Sequence, residues 1–276
     1  MGEENLKNYK ELGIGHIRIG VSTSLCKHIL LDYLKDFIRE NPNIKFSIDC
    51  HSTVNTIKLL RNENIDIGLI CNTELPKGIV YSPIKEIHDV FVASPEYLDN
   101  FYERNGNALD DMMDELSPHI KGNIIPLLGA SKRADKNTSS DSLYNDSDSA
   151  ADNPTDSSLP NHSNITTTDI LENSNLMVLE EANVTRTHVD EYLRSQGISC
   201  SQVLEINNMD LLIDFAAIGM GVASVVREFA HEQLSSGVIT ELPLDTPIPS
   251  RSVGFAYSGM KNQSTAMKKF MEWVGV

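Results

Sequence analysis

Small polar side chains cluster at four places in the chain, each shortly after an apolar run that predicts a strand. Hydroxyls, amides and the free N–H groups at a helix start suit a carboxylate or another anion, which the positive end of the helix dipole also attracts. The same residue types are ordinary helix N-caps, so a single cluster could be purely structural. Two clusters in each half of the chain favour one shared binding site. The clusters are Ser22-Thr23-Ser24, Ser52-Thr53, Asn183 to Thr185 and Asn207-Asn208.

No catalytic constellation accompanies these clusters. The eight histidines are scattered without an HExxH pattern, and the sequence contains no GxSxG nucleophile elbow. The GxG at Gly219-Met220-Gly221 follows a helical pattern rather than a strand, which indicates a tight turn and not a dinucleotide site. We therefore predict no catalytic residue, no metal site, no cofactor and no enzymatic activity.

Three titratable residues stand beside the clusters. His51 adjoins the second cluster, where it could contact a ligand or be merely solvated. Glu180 and Glu181 follow a predicted strand, and adjacent strand residues point to opposite faces, so at most one of them can face a cleft.

The four cysteines, Cys26, Cys50, Cys71 and Cys200, are widely spaced without a CxxC motif. We interpret them as four small buried apolar residues, with a redox-sensing pair as the alternative.

The elements that must position these residues alternate regularly. Apolar periodicity predicts strands at 17–22, 44–50 and 65–71, separated by helices at 24–40 and from 53 onward. Helices long enough to cross over between successive strands predict a parallel sheet. The same architecture restarts with strands at 176–180, 202–206 and 221–226 and helices between them. A last strand at 252–257 and a helix at 265–274 end the chain.

This order predicts an α/β protein of two Rossmann-like lobes joined by two crossover strands. Connections near 87–93 and 249–257 would form a double hinge, as in a binding protein that closes around a ligand. We expect lobe I at 15–88 and 251–276, and lobe II at 89–250. Ligands of such sheets bind at the carboxyl ends of the strands, where the four polar clusters fall.

Lobe II also contains a segment of different composition. Between 131 and 169, 28 of 39 residues are Ser, Thr, Asn, Asp or Pro. Such a segment buries too little apolar surface to offset its ordering entropy, so we expect a disordered insertion.

The overall charge restricts the partners. The net charge is −16, from 39 acidic and 23 basic residues, which disfavours direct contact with DNA or RNA. No apolar stretch is long enough for a membrane span, and the N-terminus lacks the apolar core of a signal peptide. We therefore expect a cytoplasmic protein with no membrane partner.

The pattern resembles the effector-binding domain of LysR-type transcriptional regulators. The stretch from GHIRIGVSTS through NIDIGLI (15–70) is similar to the opening of that domain, and IKEIHDVFVASPEYL (84–98) to its first crossover strand. NLMVLEEANVTRTHVDEYLRSQGI and AAIGMGVASVV resemble its second-lobe strand, helix and turn. The polar residues ENLKNYKELG, within 1–14, resemble the tail of the family's linker helix. The winged helix-turn-helix that precedes that helix in the family is not in this sequence.

The resemblance implies a periplasmic-binding-protein-like fold of type 2 and a homodimer, or a tetramer in the full-length regulator. It also implies a cleft for a small-molecule effector that modulates DNA binding, which would occur only through the missing N-terminal domain. The family's effector contacts correspond to Thr23, Ser24, Ser52, Thr53, Asn183, Thr185 and Asn208.

Two other functions share this fold. A free-standing solute-binding protein of a transporter would require export, for which the sequence shows no signal. An enzyme on the same scaffold, such as a deaminase or dehydratase, would require an acid or base in the cleft beyond hydroxyls and amides.

Overall fold

Two five-stranded sheets organise the chain. The structure is a computed structural model and describes residues 15–105, 165–181, 183–259 and 263–276. The predicted linker-helix remnant at 1–14 and most of the predicted insertion lie outside the described residues.

The first sheet has the strand order β2-β1-β3-β10-β4. Its strands β1 to β3 run parallel, and their crossovers are the helices α1 and α2. Helix α1 is continuous over 23–40, with a π-helical segment between two α-helical parts, and α8 packs against β1. The bounds are β1 Gly15–Val21, α1 Thr23–Leu25 with Cys26–Leu30 and Leu31–Glu40, β2 Ile44–Cys50, α2 Thr53–Arg61, β3 Ile67–Cys71, β4 Ile79–Ile87, β10 Arg251–Ser258 and α8 Thr265–Trp273.

The second sheet has the strand order β7-β6-β8-β5-β9. Strands β7, β6 and β8 are parallel, and the helices α5 and α6 connect them. A helix α3 covers 95–105 as far as the described residues extend. The other bounds are β5 Asp89–Ala93, α4 Thr167–Asn173, β6 Asn175–Leu179, α5 Val184–Ser195, β7 Gln202–Ile206, α6 Met209–Ala217, β8 Val222–Val226, α7 His231–Ser235 and β9 Thr240–Glu241.

The sheets are mixed, whereas the sequence predicted parallel ones. The parallel expectation holds for the strands joined by crossover helices. It is wrong for β10, which runs antiparallel to β3 and β4, and for β5, which runs antiparallel to β8 and β9. The reason is that β5 and β10 enter their sheets from the opposite lobe, so no helical crossover imposes their direction.

Apolar side chains fill the space between sheets and helices. In the first lobe, Phe37 of α1 meets Phe270 of α8 edge to face at 5.1 Å, and Phe270 meets Phe255 of β10 at 5.7 Å. All three side chains are fully buried. This aromatic cluster uses the return strand and helix to close the first lobe's core.

Buried charges lie where the chain passes between the sheets. Asp89 begins β5 and Arg251 begins β10, and their side chains form a bidentate ion pair. Arg251 Nε donates to Asp89 Oδ2 at 2.6 Å, and Nη2 donates to Oδ1 at 2.7 Å. The imidazole of His188 is 4.0 Å from the same carboxylate and hydrogen-bonds the carbonyl of Pro249. The two crossovers are therefore tied directly to each other.

Glycines make the predicted turn after α6. Gly219 has φ +77°, a left-handed conformation that glycine adopts without strain. At Gly221 a Cβ atom would lie only 2.2 Å from the carbonyl oxygen of Asn175. The GxG motif is thus a helix-to-strand turn, as the sequence indicated.

Two other expectations are corrected. Cys71 is buried, but Cys50 is exposed and Cys26 and Cys200 are half-buried, so the cysteines are not four core residues. The end of the predicted insertion is helical, because α4 begins at Thr167. A capping box between Thr166 and Asp169 starts that helix.

Candidate functional site

A cavity of about 450 Å³ lies between the two sheets. It is bounded by the carboxyl ends of β1, β2 and β6 and by the starts of the helices that follow them. In parallel α/β sheets this edge collects the first turns of the crossover helices. The seven residues predicted from the sequence all line this one cavity: Thr23, Ser24, Ser52, Thr53, Asn183, Thr185 and Asn208.

Three of the seven act as helix caps, as does the neighbouring Ser22. Ser52 Oγ accepts from the N–H of Asn55 at 3.4 Å, and Ser22 Oγ accepts from that of Leu25 at 3.3 Å. In the second lobe, the side-chain oxygens of Asn183 and Asn208 accept from backbone N–H groups of α5 and α6 at 2.9 and 2.8 Å. These side chains hold the helix starts in place and have part of their hydrogen-bonding capacity already used.

The other four residues carry free hydroxyls. Among the described residues, the side chains of Thr23, Ser24, Thr53 and Thr185 have no hydrogen-bond partner. The first N–H groups of a helix also lack intrahelical acceptors. The site therefore combines hydroxyl and N–H donors from both lobes, arranged around one space.

The rest of the cavity is mostly apolar. Ile87, at the end of β4, and Phe229, after β8, contribute hydrocarbon surface, and Cys71 contributes a buried thiol. Burial raises the pKa of the Cys71 thiol, which keeps it protonated at neutral pH. Such a cavity can enclose the carbon skeleton of a small molecule while a few polar groups orient it.

One carboxylate stands among the lining residues. Glu180 lines the cavity and Glu181 does not, in agreement with the expectation that at most one of them faces the cleft. His51 also lines it. In the described part of the chain, no lysine or arginine side chain belongs to the lining.

An ion pair bridges the two lobes beside the cavity. Lys27 and His28, on the π-helical segment of α1, both contact Asp210 Oδ1 on α6, at 2.8 and 2.9 Å. The His28 ring also stacks on Phe229 with the ring centroids 4.5 Å apart. Burial opposes ionisation of Asp210, but the hydrogen bonds from Lys27 and His28 outweigh it and lower the pKa of the carboxyl.

Sequence reasoning missed this bridge and the Arg251–Asp89 pair. The partners are 183 residues apart between Lys27 and Asp210, and 162 apart between Arg251 and Asp89. The position of Asp89 and Arg251 at the two predicted crossovers was the one available signal, since charged residues are uncommon at buried strand starts.

The described residues include no group of three or more His, Cys, Asp or Glu side chains that could hold a metal ion. No helix among them is both long enough and apolar enough to span a bilayer.

The sequence identifies the family. It matches the family model of the LysR substrate binding domain over residues 10–112 and 154–275. The chain therefore belongs to the LysR substrate-binding-domain family, which comprises regulatory effector-binding domains of transcription regulators and is not an enzyme family. The unmatched residues 113–153 overlap the predicted insertion. A search of curated protein sequences finds no significant match.

Solved structures of the same kind share the fold. The CcmR regulatory domain of Synechocystis PCC6803, in complex with 2-PG, is 16% identical with a TM-score of 0.63, and the match covers 94% of this chain and 95% of that one. The QuiR effector-binding domain in complex with shikimate is 13% identical with a TM-score of 0.61, covering 95% of each chain. The C-terminal domain of a probable LysR family regulator from Rhodococcus sp. RHA1 is 14% identical with a TM-score of 0.60, covering 95% and 100%. These matches confirm the predicted two-lobed, type 2 periplasmic-binding-protein-like fold.

Proposed function

We propose that this chain is the effector sensor of a LysR-type regulator. It binds a small metabolite with an anionic group in the cavity between the lobes, and binding modulates contact of the regulator with DNA, and hence transcription. The observation that carries the proposal is the set of four free hydroxyls on one cavity, from Thr23, Ser24, Thr53 and Thr185. A regulator that acts through DNA works in the compartment that holds the DNA, so we propose a cytoplasmic location.

Two structurally similar domains support a small acidic effector. The CcmR domain was solved with 2-PG and the QuiR domain with shikimate. In this chain we propose that the anionic group binds the hydroxyls and free N–H groups of Thr23, Ser24 and Thr53. The caps Ser52, Asn183 and Asn208 hold those groups in position, and Thr185 approaches from the second lobe.

A screen followed by calorimetry tests the site. Thermal-shift screening of a panel of small carboxylates gives a ligand, and titration calorimetry then compares variants. Ser24→Ala or Thr53→Ala should weaken binding by about 1–2 kcal/mol, the loss of one hydrogen bond to a charged group. Ser201→Ala removes an exposed hydroxyl outside the cavity and should change nothing. Unchanged affinity in both cavity variants would contradict the assignment.

We further propose a homodimer, which would pair α1 of one copy with second-lobe helices of its partner. Apolar side chains on or next to these helices are exposed: Leu31 by 51% on α1, Leu211 by 42% on α6, and Ile218 by 76% directly after α6. Exposed apolar residues on two helices suit a self-complementary interface.

Sedimentation tests the dimer. At micromolar concentration the chain should sediment at twice its mass of 30.6 kDa, and Leu31→Glu should release monomers. Val80→Glu, on β4, is a matched control at another exposed apolar position. A wild-type protein that sediments as a monomer contradicts the dimer.

A further inference from the structure

Glu180 is a feature of the cavity that an anionic ligand alone does not explain. It follows β6 directly, and its carbonyl accepts the N–H of the cap residue Asn183 at 2.9 Å, which fixes the backbone there. Its side chain is exposed and forms no ion pair or hydrogen bond with the described residues. A carboxylate is thus present beside the cavity without a cationic partner.

Among the described residues, no free lysine or arginine lies at the cavity to neutralise this carboxylate. Within the described chain, the cavity lining contains no lysine or arginine. Lys27, beside the cavity, already pairs with Asp210, and Arg251, which contacts the lining residue Cys71, pairs with Asp89. A ligand with only negative charge would therefore be repelled by Glu180 without compensation. A ligand that also carries a positive group would instead satisfy it.

Three of the four free hydroxyls lie in the lobe opposite Glu180, and the fourth, of Thr185, lies in the same lobe as Glu180. The free hydroxyls of Thr23, Ser24 and Thr53 belong to the first lobe, and Glu180 belongs to the second. A ligand with an anionic end and a cationic end would therefore contact both lobes with opposite charges. The apolar lining residues Ile87, Val226 and Phe229 require no charge in the middle of the ligand.

We propose that the effector is a small zwitterion of the amino-acid type and that Glu180 determines this specificity by binding its ammonium group. The carboxylate of the effector binds the hydroxyls of the first lobe. This inference rests on the proposed function and adds the class of ligand that the cavity selects.

Pairs of compounds that differ only in the ammonium group test the proposal. Suitable probes are the standard L-amino acids with uncharged side chains. Each is compared with its desamino carboxylate, such as L-leucine with 4-methylpentanoate and L-phenylalanine with 3-phenylpropanoate. Thermal shift and calorimetry are measured on the wild type, on Glu180→Gln and on Glu181→Gln. Glu181 is the matched control because it is also exposed, adjacent in sequence and outside the cavity lining.

The wild type and Glu181→Gln should bind at least one amino acid in preference to its desamino analogue. Glu180→Gln should bind that amino acid on the order of tenfold to hundredfold more weakly, as expected for losing a charged hydrogen bond. It should also bind the desamino carboxylate more tightly than the wild type does, because the repulsion is removed. A gain of binding cannot result from misfolding.

Any one of three results would overturn the inference. In the first, no amino acid binds. In the second, the desamino carboxylates bind the wild type as tightly as the amino acids do, and in the third, Glu180→Gln leaves the preference for the amino acid unchanged. The variant Thr53→Ala distinguishes failure of the zwitterion proposal from failure of the proposed binding site. If Thr53→Ala weakens carboxylate binding while Glu180→Gln has no effect, the proposed site stands and the zwitterion is excluded.

Discussion

Two of the ion pairs between the lobes, the hinge pair Arg251–Asp89 and the rim pair Lys27–Asp210, differ in burial. At the hinge, the side chains of Arg251 and Asp89 are 6% and 0% exposed and the contact is bidentate. Beside the cavity, Lys27 and Asp210 are 59% and 21% exposed and share a single oxygen contact. A buried charge is costly to leave unpaired, whereas a solvated pair exchanges readily with water. The comparison predicts that the hinge pair contributes much more to stability than the rim pair does.

Breaking the hinge pair should have the largest effect. Arg251→Met leaves the Asp89 carboxylate buried without its partner and should lower the free energy of unfolding by about 3–5 kcal/mol. Urea unfolding of the variant and the wild type measures this. The double variant Arg251→Met/Asp89→Leu should recover much of the loss, because no unpaired charge remains. If Arg251→Met is as stable as the wild type, the loss of the buried partner of Asp89 does not destabilise the protein, and the prediction is wrong.

Breaking the rim pair should have a smaller and pH-dependent effect. Asp210→Asn should cost at most about 1 kcal/mol at neutral pH. The pKa of Asp210 is lowered in the folded protein, so its contribution is complete above about pH 3.9, the ordinary aspartate value, and is lost as the pH falls through the lowered folded-state pKa. The difference in stability between variant and wild type should therefore shrink toward zero in acid.

Thermal unfolding from pH 7 down to pH 3 follows that difference. Asp214→Asn, one turn further along α6, removes the same charge without a direct contact to Lys27 or His28. It should show a smaller loss at pH 7. Equal losses of stability in the two variants would mean that the net charge of the protein, and not the rim pair, determines the pH-dependent difference.

The smallest effect is expected at the predicted insertion. Its composition offers little apolar surface, and its residues 131–153 are unmatched in the family model. Replacing 131–164 with a short Gly-Ser linker, and keeping the capping box of α4, should leave the melting temperature within a few degrees. Unfolding of the shortened chain would show that the segment contributes to a core.

The sequence predicted which residues lie together better than it predicted what each of them does. The four polar clusters lie on one cavity because parallel strands bring their carboxyl ends to a common edge, a rule that periodicity alone can apply. Ser52 and Thr53 are adjacent and chemically alike, yet Ser52 caps α2 and Thr53 leaves its hydroxyl free. Side-chain direction decides between these roles, and residue type does not encode it.

The contacts between lobes were beyond sequence reasoning. Lys27 and Asp210 look like ordinary solvated charges in their own helices, and only the fold of the whole chain brings them within contact distance. The antiparallel direction of β10 likewise follows from the chain's return to the first lobe. Long-range pairing of this kind has no local pattern in the sequence.

Native mass spectrometry tests the central claim most directly. The wild-type protein, isolated from cells and exchanged into volatile buffer, should carry a small molecule in a one-to-one complex. The variant Thr53→Ala/Thr185→Ala, which removes one free hydroxyl from each lobe, should lose that added mass, and Ser201→Ala should retain it. The account predicts this pattern. A wild-type protein that stays free of any small molecule through the carboxylate panel, or a cavity variant that retains the same added mass, would contradict it.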